Sequence, residues 1–184
     1  MRVIIVTGMP GAGKEEFVDV SRRMGFDVVR MGDVVRAEAS RMNLPSDDRS
    51  VGGFAHSERE THGFGIWAER TVRFVNRAMT VIDGCRGEAE LQVFKKAFGD
   101  GVVLIAIHAS PETRYSRLRL RNRTDAPENR EQFQERDRRE LGWGLGSLIA
   151  LADRMVVNEG TLDEFRRNAE SLLREMSEHE VQSD

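Results

Sequence analysis

The chain has 184 residues, a net charge of −3, a single cysteine and charged side chains at 32% of its positions. This length fits one domain with a sizeable core and not two independent domains. The balanced charge gives no general reason to expect nucleic acid or a membrane as a partner. One cysteine excludes internal disulfides and a thiolate zinc cluster, and we interpret Cys85 as a small buried core residue.

No apolar run in the sequence approaches the roughly 20 residues of a membrane span. The apolar N-terminal stretch also lacks the length and the cleavage site of a signal peptide. We therefore expect a cytoplasmic protein. The four histidines, at positions 56, 62, 108 and 179, show no metal-ligand spacing and are expected to be ordinary core or surface residues.

The first predicted strand, over residues 3–6, is short, apolar and β-branched, which is typical of a strand buried on both faces of a parallel sheet. A turn containing Gly8, Gly11 and Gly13 follows, and Lys14 begins a helix. Glycines let backbone amides converge, the lysine adds a positive charge, and the helix adds its N-terminal dipole. The spacing fits the first seven positions of the phosphate-loop pattern, whereas the eighth, usually Ser or Thr, is Glu15. A glycine-rich turn alone could be a plain tight connection, but the strand, lysine and helix around it favour phosphate binding.

The first helix is expected to end at Gly25, and a second strand is predicted over 26–31. Strand, loop, helix and strand form a βαβ unit, whose crossover is right-handed and parallel. A turn at 32–36 leads into a helix to about residue 42, with Asp33 as its N-cap. Residues 43–65 are broken by Pro45 and by paired glycines, so we expect a mobile, irregular connection there.

Helical periodicity returns over residues 66–77, with Ile66, Trp67, Val72, Phe74 and Val75 as apolar members. We expect Trp67 to pack in the core, and the alternative is that its ring stacks on a base.

The third predicted strand lies within residues 80–84 and ends in the carboxylate of Asp83. Open parallel sheets bind ligands beyond the carboxyl ends of their strands, so Asp83 is expected beside the phosphate loop. A carboxylate there can hold Mg²⁺ or its water. The alternative is that Asp83 only caps the next helix, predicted over 88–98.

The fourth strand is predicted over 102–108, and Ser110 with Pro111 forms a helix-start signature. Arginines are concentrated in the next two helices: Arg114, Arg117, Arg119, Arg121, Arg123, Arg130, Arg136, Arg138 and Arg139. We expect most of them to pair with nearby acids at a solvated surface, with Glu128, Glu131, Glu135, Asp137 and Glu140 as candidates. Two or three should bind phosphate, because the guanidinium is permanently charged and forms bidentate contacts.

A fifth strand is predicted over 154–157, and Thr161 with Glu164 forms a capping box for the last helix. The predicted core stripe of this helix is Leu162, Phe165, Ala169, Leu172, Leu173 and Met176. Residues from 177 onward are expected to fray.

Separated segments resemble the nucleotide-kinase branch of the phosphate-loop proteins, above all adenylate kinase and dephospho-coenzyme A kinase. Residues 8–14 look like the adenylate kinase loop, 31–36 like its Gly-Asp-x-x-Arg element, and 83–86 like its Asp-Gly-Phe-Pro-Arg segment shortened by one residue. Residues 117–121 resemble the arginine pair that begins its lid, and 152–162 resemble dephospho-coenzyme A kinase. Taken whole, the chain resembles an archaeal family of small P-loop kinase-like ATPases that share the Gly-Met-Pro-Gly-x-Gly-Lys-Glu loop and the segment found here at 136–141.

This resemblance implies a three-layer α/β P-loop NTPase fold of the nucleoside-monophosphate-kinase type, with a parallel sheet of about five strands. It implies one domain over 1–184, with a mobile acceptor-side insert at about 37–76 and a short Arg-rich lid at about 117–139. ATP and Mg²⁺ are the implied cofactors. ATP binding is implied more firmly than any substrate.

The residues and the resemblance together suggest roles for individual side chains. Nucleotide-binding residues would be Gly8, Met9, Pro10, Gly11, Ala12, Gly13, Lys14, Glu15, Arg117, Asn158 and Gly160. Catalytic residues would be Lys14, Arg121 and Arg136, acceptor-binding residues Asp33, Arg36 and Arg86, and metal ligands Asp83 and Glu15. Glu15 either ligates Mg²⁺ or turns away to cap the first helix.

The expected function is transfer of the γ-phosphoryl group of ATP to a nucleotide or a coenzyme precursor. The alternative is an ATP-dependent switch or slow ATPase that acts with a protein or RNA partner. The sequence leaves open the acceptor, the oligomeric state and the choice between ATP and GTP.

Overall fold

The computed structural model describes residues 1–121 and 126–181. Within them lies one sheet of five strands, β1 (Arg2–Thr7), β2 (Asp27–Arg30), β3 (Met79–Asp83), β4 (Val102–His108) and β5 (Arg154–Val157). The strand order is β2-β3-β1-β4-β5, and every neighbouring pair is parallel. The predicted α/β fold with about five parallel strands is confirmed.

Helices cover both faces of the sheet. They are α1 (Lys14–Arg23), α2 (Met31–Arg41), α3 (Asp48–His62), α4 (Ile66–Val72), α5 (Glu88–Phe98), α6 (Pro111–Leu120), α7 (Arg130–Gly142), α8 (Leu145–Ala150) and α9 (Leu162–Val181). The strands β4 and β5 and the helix α5 have the bounds that the sequence predicts. A single 3₁₀ turn, Gly99–Gly101, joins α5 to β4.

Alternate residues of the central strand β1 enter two separate cores. Val3 and Ile5 pack with Trp67 and the inner faces of α2, α4, α5 and α8. Ile4 and Val6 pack with Phe17 of α1 and with α9. Because the strand is buried on both faces, its residues are apolar without alternation. The result is a three-layer arrangement in which the carboxyl ends of β2, β3, β1 and β4 share one edge.

The start of α2 differs from the prediction. The helix begins at Met31, its N-cap position is Arg30, and the predicted N-cap Asp33 lies inside the first turn. The carboxylate of Asp33 accepts a hydrogen bond from Arg36 at 2.6 Å. The prediction was wrong because β2 leads directly into the helix, without the turn that Gly32 suggested.

The prediction of irregular structure over 43–65 was also wrong, because α3 occupies most of this segment. Asp47 caps α3 by accepting the Ser50 N–H at 2.9 Å. Tertiary contacts then hold the helix despite its paired glycines: the Arg59 guanidinium forms a buried ion pair with Glu90 at 2.9 Å, and the carbonyl of Ala55 accepts the indole N–H of Trp67 at 3.0 Å. The helix forms despite its helix-breaking glycines because side chains of α4 and α5 make these contacts with it.

The core contacts of α4 settle the role of Trp67. The ring is fully buried and packs edge-to-face on Phe54 at 5.7 Å between centroids, so packing is confirmed and stacking on a base is wrong. The helix itself ends at Val72, short of the predicted residue 77. Phe74, predicted as an apolar member of that helix, lies beyond its end and is 45% exposed.

The predicted capping box of α9 is confirmed. The Thr161 N–H donates to Glu164 at 2.7 Å, and the Glu164 N–H donates to Thr161 Oγ1 at 3.2 Å. Two details of α9 differ from the prediction. Leu162 is half exposed because it occupies the first residue of the helix, outside the packed stripe, and the helix continues past 177 to Val181 because Met176 is still buried in the core.

Candidate functional site

Residues 8–13 form a tight loop between β1 and α1. Gly8 has a φ of +145°, and a side chain there would collide with the carbonyl oxygen of Ile107 in β4. Gly13 has a φ of +111°, and a side chain there would collide with the amide of Asn158. Only glycine can adopt the positive φ angle and fit the space available at these two positions. The loop therefore lies against β4 and β5 and ends at the N-terminus of α1, where backbone N–H groups and the helix dipole favour an anion.

A cleft of about 320 Å³ lies between this loop and the carboxyl ends of β2 and β3. Its charged lining, among the described residues, consists of Lys14, Arg30, Arg36, Arg86, Arg121, Arg136, Glu15, Asp83 and Glu140. Six cations against three carboxylates leave an excess of three positive charges. A concave wall with such an excess attracts polyanions.

Lys14 occupies the floor of the cleft. Its ammonium donates to the carbonyl of Gly8 at 2.5 Å and to that of Met9 at 3.3 Å, so it folds back on its own loop. Burial lowers the pKa of Lys14 to about 8, although the nearby carboxylates Asp83 and Glu140 oppose the shift. A bound phosphate would favour the charged form and raise the pKa again.

This pKa leads to a testable pH dependence. Because a phosphate ligand needs the charged ammonium, ATP affinity should be constant below pH 8 and fall about tenfold per pH unit above it, until the pKa of the complex is reached. Calorimetric titrations of ATP between pH 6.5 and 10 measure the effect. In Lys14→Arg, whose guanidinium stays charged, the affinity should not change across this range. A parent protein with constant affinity up to pH 10 would contradict the assignment.

Asp83 ends β3 and also lines the cleft, as its position in the sequence predicts. Its Oδ1 atom is buried and has no hydrogen-bond partner within the described part of the chain. A buried polar atom left without a partner costs free energy unless a ligand or a water supplies one. The alternative role, capping of the next helix, is wrong because Gly87 occupies the N-cap position of α5.

Glu15, the second residue of α1, lines the same cleft. Its Oε1 is 3.8 Å from Arg30 Nη1, and its side chain is 34% exposed. Carboxylate oxygens from Asp83 and Glu15 are the donor type that Mg²⁺ prefers, and Mg²⁺ usually takes only one or two protein carboxylates. The residues present therefore fit a magnesium ion that is shared with phosphate oxygens.

The predicted acceptor residues are only partly brought together. Arg36 and Arg86 both line the cleft, whereas Asp33 does not and instead pairs with Arg36 on the surface. Arg86 Nη1 lies 3.4 Å from the buried carboxylate of Glu140. The two arginines approach the cleft from different elements, Arg36 from α2 and Arg86 from the segment after β3.

Asn158 contacts the loop, and Arg117 contacts Asn158. The amide of Asn158 donates to the carbonyl of the buried Ala12 at 2.8 Å, while Arg117 donates to the Asn158 carbonyl at 2.9 Å. These bonds hold the phosphate loop against β5. The predicted contact of these residues with a nucleotide stays a prediction, and so does that of the exposed Gly160, which lies just before α9.

The remaining predicted residues are placed as follows. Pro10, Gly11, Arg121 and Arg136 line the cleft, whereas Met9 packs against the core and offers its carbonyl to Lys14. Arg123, counted among the lid arginines, falls outside the described residues.

Three charged cleft or loop residues were not predicted as site residues, namely Arg30, Glu140 and Arg114. Arg30 is the last residue of β2 and lies beside Asp83 in the sheet register, so its place at a strand end was a usable signal. Arg114 is buried, donates to the Pro10 carbonyl at 3.2 Å, and forms two hydrogen bonds with Asp137 at 2.8 and 2.6 Å. Arg114 therefore links the loop to α7. No local pattern in the sequence predicts this contact.

Comparison with known proteins shows the family to which this chain belongs. Residues 4–139 match the AAA_18 family, described as an AAA domain. The UPF0200 protein TV0279 of Thermoplasma volcanium is 47% identical over 172 residues, which cover 93% of this chain and 96% of that protein. The chain belongs to the UPF0200 family. The predicted membership of an archaeal P-loop kinase-like family is thereby confirmed.

Solved structures similar to this UPF0200 chain show the fold. A gluconokinase from Sinorhizobium meliloti 1021 superimposes with a TM-score of 0.58 at 16% identity and covers 100% of this chain and 98% of its own. A shikimate kinase from Bacteroides thetaiotaomicron gives 0.64 at 13% identity, with 94% and 98% covered. At these identities the likeness concerns the fold alone, which is that of P-loop small-molecule kinases.

A second cleft of about 280 Å³ adjoins the first in this UPF0200 chain, and Arg86 lines both. Its walls include the aromatic rings of Phe64 and Trp143 and the buried Arg59–Glu90 ion pair. The guanidinium groups of Arg86 and Arg59 lie 5.3 and 5.7 Å from the centroid of the Trp143 ring.

In the part of this UPF0200 chain that the structure describes, no helix is long and apolar enough to cross a membrane. The same residues contain no group of three or more His, Cys, Asp or Glu arranged to hold a metal ion by themselves.

Proposed function

We propose that this UPF0200 protein binds ATP at the loop 8–13 and transfers its γ-phosphoryl group to a small acceptor, a nucleotide or a coenzyme precursor. One observation carries the proposal. A glycine loop, a half-buried lysine and a buried carboxylate oxygen without a partner among the described residues converge on one strongly cationic cleft in a kinase-like fold.

On the ATP side, Lys14 would exchange the carbonyls of Gly8 and Met9 for oxygens of the β- and γ-phosphates. The loop amides and the N-terminus of α1 would bind the same phosphates. The adenine would lie near residues 158–160. At this end of the site, Arg117 donates to the Asn158 carbonyl and the Asn158 amide donates to the loop residue Ala12. This placement supports the predicted nucleotide contacts at Arg117, Asn158 and Gly160.

Asp83 and Glu15 would hold Mg²⁺. The ion, when bound, neutralises charge on the β- and γ-phosphates. The unpartnered Oδ1 of Asp83 supports this assignment because it is a buried acceptor that awaits a ligand. Glu15 stands in the place of the usual hydroxyl, and its carboxylate would be tolerated beside phosphate because Mg²⁺ would lie between the two.

Arg121 and Arg136 would stabilise the charge that develops on the transferred group, and Arg36 and Arg86 would bind the acceptor. Phosphoryl transfer needs little covalent participation by the protein, since positioning and charge stabilisation supply most of the catalysis. The second cleft, which shares Arg86 with the first, gives the rest of the acceptor a place to bind beside Trp143.

The metal assignment makes a direct prediction. Asp83→Asn keeps the size of the side chain but removes its charge, so it should reduce the Mg²⁺-dependent part of ATP affinity about tenfold. Titrations of ATP with Mg²⁺ and with a chelator measure this part. The same titrations of Glu15→Ser test the second ligand, because an unchanged metal dependence would leave Asp83 as the sole carboxylate. If neither substitution changes the dependence, the ion is held elsewhere.

The function itself is tested by screening nucleotides and coenzyme precursors for stimulated release of ADP from ATP. Transfer predicts that one small metabolite raises the rate and becomes phosphorylated, which mass spectrometry detects. Lys14→Ala should lose the stimulation. A rate raised only by a protein or an RNA would instead favour an ATP-dependent switch or slow ATPase.

A further inference from the structure

Arg30 is a cation for which the proposed ATP site has no use. It ends β2, lies next to Asp83 in the sheet register, and lines the cleft. Its side chain is 25% exposed, yet its Nε atom is buried and has no hydrogen-bond partner in the described part of the protein. Its Nη1 lies 3.8 Å from Glu15 Oε1, which is beyond hydrogen-bond distance.

Two other arginines in and around the cleft have close acceptors. Arg114 reaches Asp137 at 2.6 Å, and Arg36 reaches Asp33 at the same distance. A buried N–H group without an acceptor costs about 1–3 kcal/mol. A guanidinium that is held at a strand end with one such donor is therefore prepared for an acceptor that comes from outside the protein.

We propose that Arg30 binds an anionic group of the phosphoryl acceptor, an oxyanion such as a phosphate or a carboxylate. This inference rests on the proposed function and specifies the class of its substrate. The guanidinium presents its donors in a planar fork, which matches two oxygens of either group. The acceptor is accordingly a small anion, not a neutral polyol and not a protein hydroxyl.

The position of Arg30 supports an acceptor-side role. Arg30 is the N-cap residue of α2, the helix that carries Arg36 six residues further on. Arg30, Arg36 and Asp83 all line the same cleft, so an anion at Arg30 would lie on the side of the cleft that holds Arg36 and Asp83. The charge of the cleft agrees, because a triphosphate partly neutralised by Mg²⁺ cannot balance all of the excess of three positive charges.

Anion binding to Arg30→Met and to the parent tests the proposal. The phosphate loop is first filled with the Mg²⁺ complex of a non-hydrolysable ATP analogue, and inorganic phosphate and succinate are then titrated separately by calorimetry. Arg30→Met, which removes the charge but keeps a similar length, should weaken the better-bound anion about 10- to 100-fold. Arg30→Lys keeps the charge without the planar fork, so its anion affinity should lie between that of the parent and that of Arg30→Met. Arg22→Met is the matched control, because Arg22 pairs with Asp19 on the surface of α1 and should change nothing.

The outcomes separate this proposal from the proposed function. Both the proposed function and the role of Arg30 are supported if the parent and Arg30→Met bind the analogue equally and only the variant binds the anion more weakly. Preference for phosphate or for succinate identifies the kind of acceptor anion. Equal anion binding in the two proteins, or none in either, overturns the role of Arg30 even if ATP binds. Failure of the parent to bind the analogue would overturn the proposed function. Anion titrations of the two proteins without nucleotide would then still show whether Arg30 binds an anion.

Discussion

Replacing Lys14 with alanine is expected to weaken ATP binding about 100-fold. The ammonium would contact two phosphate groups, and each hydrogen bond to a charged group contributes about 1.5–3 kcal/mol, so a loss of about 3 kcal/mol is a conservative sum. Calorimetry with the Mg²⁺ complex of ATP measures the difference. Lys95→Ala is the matched control, because Lys95 is exposed on α5 and should bind ATP like the parent.

The stability of Lys14→Ala matters for this experiment. In the unliganded protein the ammonium is buried and its pKa is lowered to about 8, so removing it relieves a cost of desolvation. The substitution also leaves the carbonyls of Gly8 and Met9 without their donor. We expect these effects to oppose each other and the variant to stay folded, which circular dichroism checks. A folded Lys14→Ala that binds ATP as tightly as the parent would remove the basis of the proposed function.

Breaking the Arg114–Asp137 pair should be the most destabilising substitution in the site. The Arg114 side chain is only 4% exposed and that of Asp137 16%, and the pair is bidentate. Arg114→Met leaves a mostly buried carboxylate without its partner, and it removes the donor to the carbonyls of Ala109 and Pro10. Loss of one partner of a buried pair costs about 3–5 kcal/mol, which urea denaturation measures as a lower free energy of unfolding.

Two comparisons make the Arg114 prediction specific. Arg114→Met combined with Asp137→Leu should recover much of the stability, because it is the uncompensated charge that costs most. Arg130→Met removes an exposed pair with Glu112 and should lower the free energy of unfolding far less than Arg114→Met does. ATP affinity should also fall in Arg114→Met, since Pro10 belongs to the loop. Equal free energies of unfolding for Arg114→Met and Arg130→Met would show that the buried pair contributes little.

Most regular elements were predictable because their signals are local. Ser110 accepts the Thr113 N–H, Thr161 and Glu164 cap α9, and the apolar run of β4 occupies the predicted residues. The segment 43–65 failed for the opposite reason. Its glycines and Pro45 are local breakers, whereas α3 is held by contacts with Glu90 and Trp67, which lie up to 31 residues further along the chain.

The candidate site shows the same division between local and distant causes. Asp83 could be placed because any strand that ends in a carboxylate delivers it to the carboxyl edge of a parallel sheet. The roles of Arg114, Arg117 and Asn158 in holding the loop could not be predicted. They depend on which backbone carbonyls lie within reach after α6 and β5 have packed against residues 8–13.

By itself, the sequence determined the order of the parts: an apolar strand, a glycine loop, a lysine at a helix start, and a carboxylate after a later strand. Those parts are specified by short-range sterics and by burial on both faces of a parallel sheet, so they can be recognised without coordinates. The tertiary structure alone decided which of the many arginines face the loop, because the direction of each guanidinium depends on how α2, α6 and α7 pack. It is this packing that leaves Arg30 facing Glu15, with no closer acceptor among the residues that the structure describes, while Arg114 is buried in an ion pair.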